Sequence, residues 1–78
     1  MGLFGKDKTT KLWEQALDFG DAGNWKECIR CYDQIIEINS NDSLAWRGKG
    51  VTLNVQEKYD EAIICFDKAL EINPDDGI

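Results

Sequence analysis

Three cysteines are the residues of this chain whose type and spacing could most readily do chemistry. Cys28 and Cys31 form a C-x-x-C pair, and Cys65 follows 34 residues after Cys31. A structural zinc site takes four ligands, commonly Cys and His, and this chain has no histidine and one further cysteine. A redox C-x-x-C site would need a βαβ context, which the sequence pattern does not offer. We therefore expect three packed thiols, no metal and no cofactor.

Acid–base and nucleophilic chemistry has no better basis in the sequence. Without histidine, no side chain of ordinary pKa changes charge near neutral pH. We find no nucleophile–base pair and no phosphate-binding glycine loop. The carboxylates of Asp60 and Glu61 fall in a predicted first helical turn, where negative charge stabilises the helix dipole. Asp75 and Asp76 lack the ligand spacing of a calcium loop. We expect no catalytic residue and no enzymatic activity.

Size and charge narrow the possible functions further. The 78 residues suffice for one small domain, and 42% apolar with 31% charged residues are typical of a globular chain. The net charge of −6 argues against nucleic acid, whose phosphates require a clustered basic surface. No apolar run approaches the roughly 20 residues that cross a bilayer, so we expect no membrane partner. The start of the chain lacks the apolar stretch of a secretion signal, and with unpaired thiols this favours a cytoplasmic location.

Four amphipathic helices are predicted to position these residues, and no strand pattern is present. The expected ranges are about 8–22, a second helix from Asn24 to near Ile38, then about 43–55 and 59–72. Asn24 and Glu27 have the spacing of a capping box at the start of the second helix. The polar run 39–42 should supply a turn and an N-cap, and Pro74 should end the last helix. The chain is predicted to be all-α.

A period of 34 residues joins the four helices into two units. Trp25 aligns with Tyr59, and Cys31 aligns with Cys65. A fixed period of this length predicts units that stack and bury their apolar faces against one another. In the second unit, seven residues fall at the spacings of the tetratricopeptide repeat: Trp46, Gly50, Tyr59, Ala62, Phe66, Ala69 and Pro74.

Residues 43–76 thus resemble a tetratricopeptide repeat closely, and residues 9–42 resemble it more loosely. The first unit departs from the pattern at Leu12, Ala16, Trp25, Cys28, Ile35 and Ser40. The resemblance implies an α-solenoid of two helix-turn-helix repeats. Within it, small residues should let helix backbones approach closely, and large residues should fill the space between those contacts. The small residues are Gly50, Ala62 and Ala69, and the large ones are Trp46, Tyr59 and Phe66. Gly48 has no packing role in this prediction.

The resemblance also implies where a function would lie. In such arrays the first helix of each unit lines a concave surface, so we expect a protein scaffold that binds a peptide or helix in a mainly apolar groove. The candidate partner-binding residues are Trp13, Leu17, Asp21, Leu44, Arg47, Val51 and Val55. Some members of the family bind a C-terminal carboxylate through a Lys and an Asn one turn apart. Here only Arg47 retains a cation at those positions, so that mode is not expected.

The two ends of the chain leave an alternative open. Residues 1–8 are predicted to be a flexible leader, and residues 77–78 would begin a truncated third unit. An uncovered C-terminal end could associate with a second copy, and the apolar stripe could itself be used between identical chains. A structural self-association module is therefore the alternative to the scaffold.

Overall fold

The computed structural model describes residues 7–74, which form four α-helices and no strand. The helices are α1 (Lys8–Asp21), α2 (Trp25–Ile38), α3 (Ser43–Val55) and α4 (Tyr59–Ile72). The predicted all-α class is confirmed, and α1 ends one residue earlier than expected. The predictions for residues 1–6 and 75–78, which include most of the leader and the start of a third unit, lie outside the described residues.

Local capping explains where three of the helices begin or end. The Asp7 carboxylate accepts a hydrogen bond from the Thr10 N–H at 2.8 Å, and this bond lowers the pKa of Asp7. The Asp42 carboxylate likewise accepts from the Ala45 N–H at 3.2 Å, which confirms the expected N-cap. The C-terminal end of α4 is at Ile72, two residues before Pro74.

The predicted capping box of α2 is wrong. The Asn24 side chain makes no capping hydrogen bond, and Glu27 instead pairs with Arg30 at 3.3 Å. The backbone closes this turn: the Asn24 N–H donates to the Phe19 carbonyl at 2.8 Å, and Gly23 adopts a φ of 75°. A left-handed residue here costs least when it is glycine, so the turn conformation is specified without the Asn24 side chain.

The helices pack in chain order, α1 on α2, α2 on α3, and α3 on α4. One core cluster joins the first three helices and consists of Leu12, Ala16, Cys28, Cys31, Tyr32, Ile35 and Ala45. A second cluster joins α3 and α4 and consists of Leu53, Ala62 and Cys65, with Trp46 and Phe66 packed against it. Ile29 of α2 also packs against the second cluster. Each cluster therefore receives a residue from the other hairpin, Ala45 in the first and Ile29 in the second.

Glycines on α3 make the close contacts between helices. A Cβ on Gly50 would lie 2.8 Å from the Phe66 ring, so the predicted contact of a small with a large residue is present. A Cβ on Gly48 would lie only 2.6 Å from Cζ of Tyr32. The expectation that Gly48 has no packing role is therefore wrong, because the Tyr32 ring of α2 occupies the space beside it.

Tyr59 does not fill the interior as predicted, since it is 55% exposed. It lies on the side of α4 away from α3, together with Ile63 and Leu70, which are 54% and 42% exposed. The apolar residues of α4 include Ile63 and Leu70 as well as the buried Ala62 and Ala69. Only some of them are covered, because α3 is the helix against which α4 packs.

Candidate functional site

The three cysteines are packing groups in the interior. The Cys28 thiol donates a hydrogen bond to the Ala16 carbonyl at 3.3 Å and lies 3.6 Å from Oγ1 of Thr52. Burial raises the pKa of Cys31 and that of Cys65. Raised pKa values keep thiols protonated and unreactive near neutral pH. In the part of the chain that the structure describes, no three His, Cys, Asp or Glu side chains are grouped to hold a metal ion.

The predicted partner-binding residues lie on the first helix of each hairpin. On α1 they follow at intervals of four, and on α3 at intervals of three and four, so each set lies along one helix face. Four of them are large aliphatic side chains that are about half exposed: Leu17 (59%), Leu44 (54%), Val51 (49%) and Val55 (50%). We refer to these four residues as the α1–α3 stripe. Leu17 and Val51 occupy equivalent positions, 34 residues apart.

The buried side of each helix explains why the residues of the α1–α3 stripe stay outside the core. Leu12 and Ala16 of α1, and Ala45 and Leu53 of α3, are at most 5% exposed and occupy the interior. Their burial fixes the rotation of each helix about its axis. The stripe residues then necessarily face away from α2 and α4.

The polar and aromatic candidates are placed differently from one another. Asp21 and Arg47 are exposed beside the stripe. Trp13 is half-buried, with its ring edge-on to Tyr32 at 5.5 Å between centroids and 75° between planes. Such aromatic pairs contribute roughly 0.5–1.5 kcal/mol beyond their buried area. Trp13 therefore stabilises the contact of α1 with α2 and presents only part of its surface to a partner.

A second exposed apolar surface lies on α4, and the sequence analysis did not name its residues. Tyr59, Ile63 and Leu70 lie on one face, and Ile64, at 65% exposed, lies on another. The 34-residue alignment could have indicated the face of Tyr59, Ile63 and Leu70, because the equivalent residues of α2 are covered by α3. These α4 residues could have been found by asking which neighbouring helix packs on each apolar face of the two units.

Comparison with known families agrees with this geometry. Residues 43–76 match the family model of the tetratricopeptide repeat. Residues 43–76 are thus a tetratricopeptide repeat, and the four helices of residues 7–74 fit a helical repeat of that type, as the resemblance implied. No curated protein matches the chain. Tetratricopeptide repeats are a non-catalytic fold that generally mediates protein–protein interaction. No helix within residues 7–74 has the length and apolarity to cross a membrane.

Proposed function

We propose that this chain is a scaffold that binds a peptide or helix of a partner protein along the α1–α3 stripe. The observation that carries the proposal is the row of four half-exposed aliphatic side chains on two helices whose other faces are fixed in the core. Large apolar side chains that stay exposed after the core is filled often mark an interaction site. The helices present it on a preformed surface, so little ordering of the scaffold opposes binding.

The size of the stripe sets the expected strength of binding. Fully burying a Leu or Val side chain contributes about 1.5–3 kcal/mol, so covering the exposed half of each contributes roughly 1 kcal/mol. Four such residues supply roughly 4 kcal/mol, which does no more than offset the lower bound of the roughly 4–15 kcal/mol that association costs. Polar contacts from Asp21, Arg47 and the partner backbone must add to this. We therefore propose a reversible adaptor whose affinities lie in the micromolar range, about 10 μM or weaker.

The net charge favours one class of partner. At −6, the chain attracts basic segments and repels acidic ones over about a Debye length. Raising the salt concentration should therefore slow association more than it speeds dissociation. We propose that the partner segment carries apolar side chains spaced to contact both α1 and α3, and that basic residues flank them.

A peptide-display library of natural protein segments, followed by calorimetric titration of the selected peptides, tests the proposal. Val51→Lys and Leu17→Lys should each weaken binding at least about tenfold, because an ammonium would be desolvated in the apolar contact. Ile64→Lys is the matched control, since Ile64 is also an exposed aliphatic residue, at 65%, but lies on α4. It should change the affinity by less than about twofold.

Two results would count against the scaffold. Equal losses for Val51→Lys and Ile64→Lys would show that the stripe is not the binding surface. Sedimentation analysis provides the other test: an oligomer of the native chain that Val51→Lys dissociates would support the self-association alternative.

A further inference from the structure

A groove that opens to solvent follows the seam between α3 and α4. It has two adjoining parts, of about 180 Å³ and about 240 Å³, which share Trp46 and Ile64. Its apolar lining residues are Trp46, Leu53, Ile64 and Cys65, and we refer to the surface that they form with their charged neighbours as the α3–α4 groove. Trp46 and Leu53 lie on a different face of α3 from the α1–α3 stripe, and no stripe residue lines the groove.

Ile64 is the residue of this groove whose exposure the fold does not explain. It is 65% exposed, the highest value among the large apolar side chains of residues 7–74. The equivalent residue of the first unit, 34 positions earlier, is the exposed Arg30. Neither the helix nor its packing therefore requires an apolar side chain at this position. Isoleucine here gives the groove an apolar side chain on α4 to match Trp46 on α3.

The Trp46 side chain is held in place before any partner binds. Its Nε1–H donates a hydrogen bond to the Ser40 carbonyl at 2.9 Å, and Nζ of Lys49 lies 5.9 Å from the centre of its ring. Lys49 is itself fixed by an ion pair with Asp33 of α2 at 2.6 Å. Leu53, which is 3% exposed, lies at the base of the groove. Because these side chains are already ordered, a ligand that contacts them loses little free energy to ordering the protein.

The size of the groove suits one large apolar side chain. An apolar cavity of about 150 Å³ holds a benzene molecule. The part of the groove that contains Trp46, Leu53 and Ile64 measures about 180 Å³, so an aromatic ring or a branched aliphatic side chain has room there. Since the groove is open, such a side chain can enter from a backbone that lies on the surface.

The charges around the groove determine which residues can flank that side chain. Two lysines and three carboxylates line it: Lys49, Lys68, Glu61, Asp67 and Glu71. Both lysines are already paired with a carboxylate, Lys49 across the hairpins and Lys68 with Glu71 at 3.6 Å. The carboxylates of Glu61 and Asp67 are exposed and add two negative charges. The groove therefore attracts cations beside the bound side chain and repels carboxylates.

We propose that the α3–α4 groove binds a short basic segment of a partner protein through one large apolar side chain. That side chain lies between Trp46 and Ile64, and lysine or arginine residues on either side of it approach Glu61 and Asp67. The groove and the α1–α3 stripe lie on different faces of α3, so one chain can hold two partner segments at once.

A pentapeptide with one phenylalanine between two pairs of lysines, and with both ends blocked, is the probe. Titration into the isotope-labelled native chain should give saturable NMR shift changes at the Trp46 indole N–H and the Ile64 methyl groups. NMR detects the weak binding that a single apolar side chain supports. A peptide with alanine in place of phenylalanine should bind at least about fivefold more weakly, because it lacks the apolar contact. A peptide with glutamates in place of the lysines should also bind at least about fivefold more weakly.

Two variants of the chain locate the contact. Ile64→Arg introduces the residue that the first unit carries at the equivalent position, so the helix should be retained. It should weaken binding of the phenylalanine peptide at least about fivefold, since it removes the apolar contact and repels the lysines. Ile63→Arg is the matched control, because it makes the same charge change about 100° round α4, outside the groove. It should change the affinity by less than about twofold, and circular dichroism checks the helix content of both variants.

Several results would overturn the proposal. They are the absence of saturable shift changes, equal losses for Ile64→Arg and Ile63→Arg, and an alanine or glutamate peptide that binds as tightly as the phenylalanine–lysine peptide. Shift changes at Leu17 and Val51 instead of Trp46 would assign the peptide to the α1–α3 stripe, which also contradicts the proposal. Shift changes at Trp46 when the native chain is concentrated without peptide would assign the groove to a second copy, with the same consequence.

Discussion

Gly48→Ala should destabilise the chain even though it places a better helix former inside α3. In an exposed helix interior the exchange of Gly for Ala gains about 1 kcal/mol. Here the new Cβ would lie 2.6 Å from Cζ and 2.7 Å from Cε1 of Tyr32. That is about 1 Å closer than the ~3.5–4.0 Å separation of carbon atoms in contact. Because Tyr32 is only 8% exposed, its ring has little room to move.

Overpacking of this size costs about 1–3 kcal/mol, so it outweighs the gain in helix propensity. The expected net loss is about 1 kcal/mol, with an upper limit of about 2 kcal/mol. For a domain of 60–100 residues, 1 kcal/mol lowers Tm by about 4–8 °C. Gly20→Ala is the matched control, because the nearest atom to its Cβ would be Sγ of Cys28 at 3.8 Å. It should leave Tm unchanged or raise it.

Urea unfolding of four chains completes the test: native, Gly48→Ala, Tyr32→Leu, and the double variant. With the ring removed, Gly48→Ala should stabilise by up to about 1 kcal/mol, so the double-mutant cycle should give a coupling energy near 2 kcal/mol. A Gly48→Ala variant as stable as Gly20→Ala, or a coupling energy near zero, would refute the close contact of α3 with the Tyr32 ring.

Three further predictions concern capping, buried thiols and the ion pair between the hairpins. Asp42→Ala should cost about 1 kcal/mol in urea unfolding, and Asn24→Ala should cost clearly less, because only the Asp42 side chain makes a capping bond; equal losses would contradict this. Burial raises the pKa of Cys65 above 9.0, so the unfolded chain loses that proton first. The stability of the native chain should therefore be full below pH 9.0 and fall as the pH rises above it. In Cys65→Ala the fall should be less steep. Urea midpoints measured at about pH 8 and about pH 10 for both chains would show the difference. A double-mutant cycle of Asp33→Ala and Lys49→Ala should give a coupling energy of about 0.5–1 kcal/mol, a value already discounted for the partial exposure of both side chains. Salt at about 0.5 M should reduce this coupling energy. A coupling energy that salt leaves unchanged would contradict the ion pair.

Much of the fold follows from local signals in the sequence. Helix periodicity predicted α3 and α4 at their observed bounds, because each segment has an apolar face and a clear break beside it. The contact of Gly50 with Phe66 was predictable from the 34-residue pattern. Gly48 was not, since its partner Tyr32 lies in the other hairpin and the contact depends on how the hairpins stack. The capping box failed because the backbone conformation of Gly23 and Asn24 closes the turn without a side chain.

The candidate site was predictable only in part. Leu17 and Val51 could be placed on the surface because the remaining faces of their helices were already assigned to the interior. The half-burial of Trp13 could not, since it depends on the rotamer that packs against Tyr32. The exposure of Tyr59 and Ile63 likewise depends on which helix covers α4. Such covering is a tertiary property that periodicity within one helix does not report.

The most direct test of partner binding through α1 and α3 is backbone amide NMR of the chain, titrated with a peptide selected by display. We expect the largest chemical-shift changes at Leu17, Val51 and their neighbours, with α2 unaffected. The same titration of Val51→Lys should show these changes only at much higher peptide concentration. Changes confined to α4, or none at saturating peptide, would contradict the proposed role of the α1–α3 stripe.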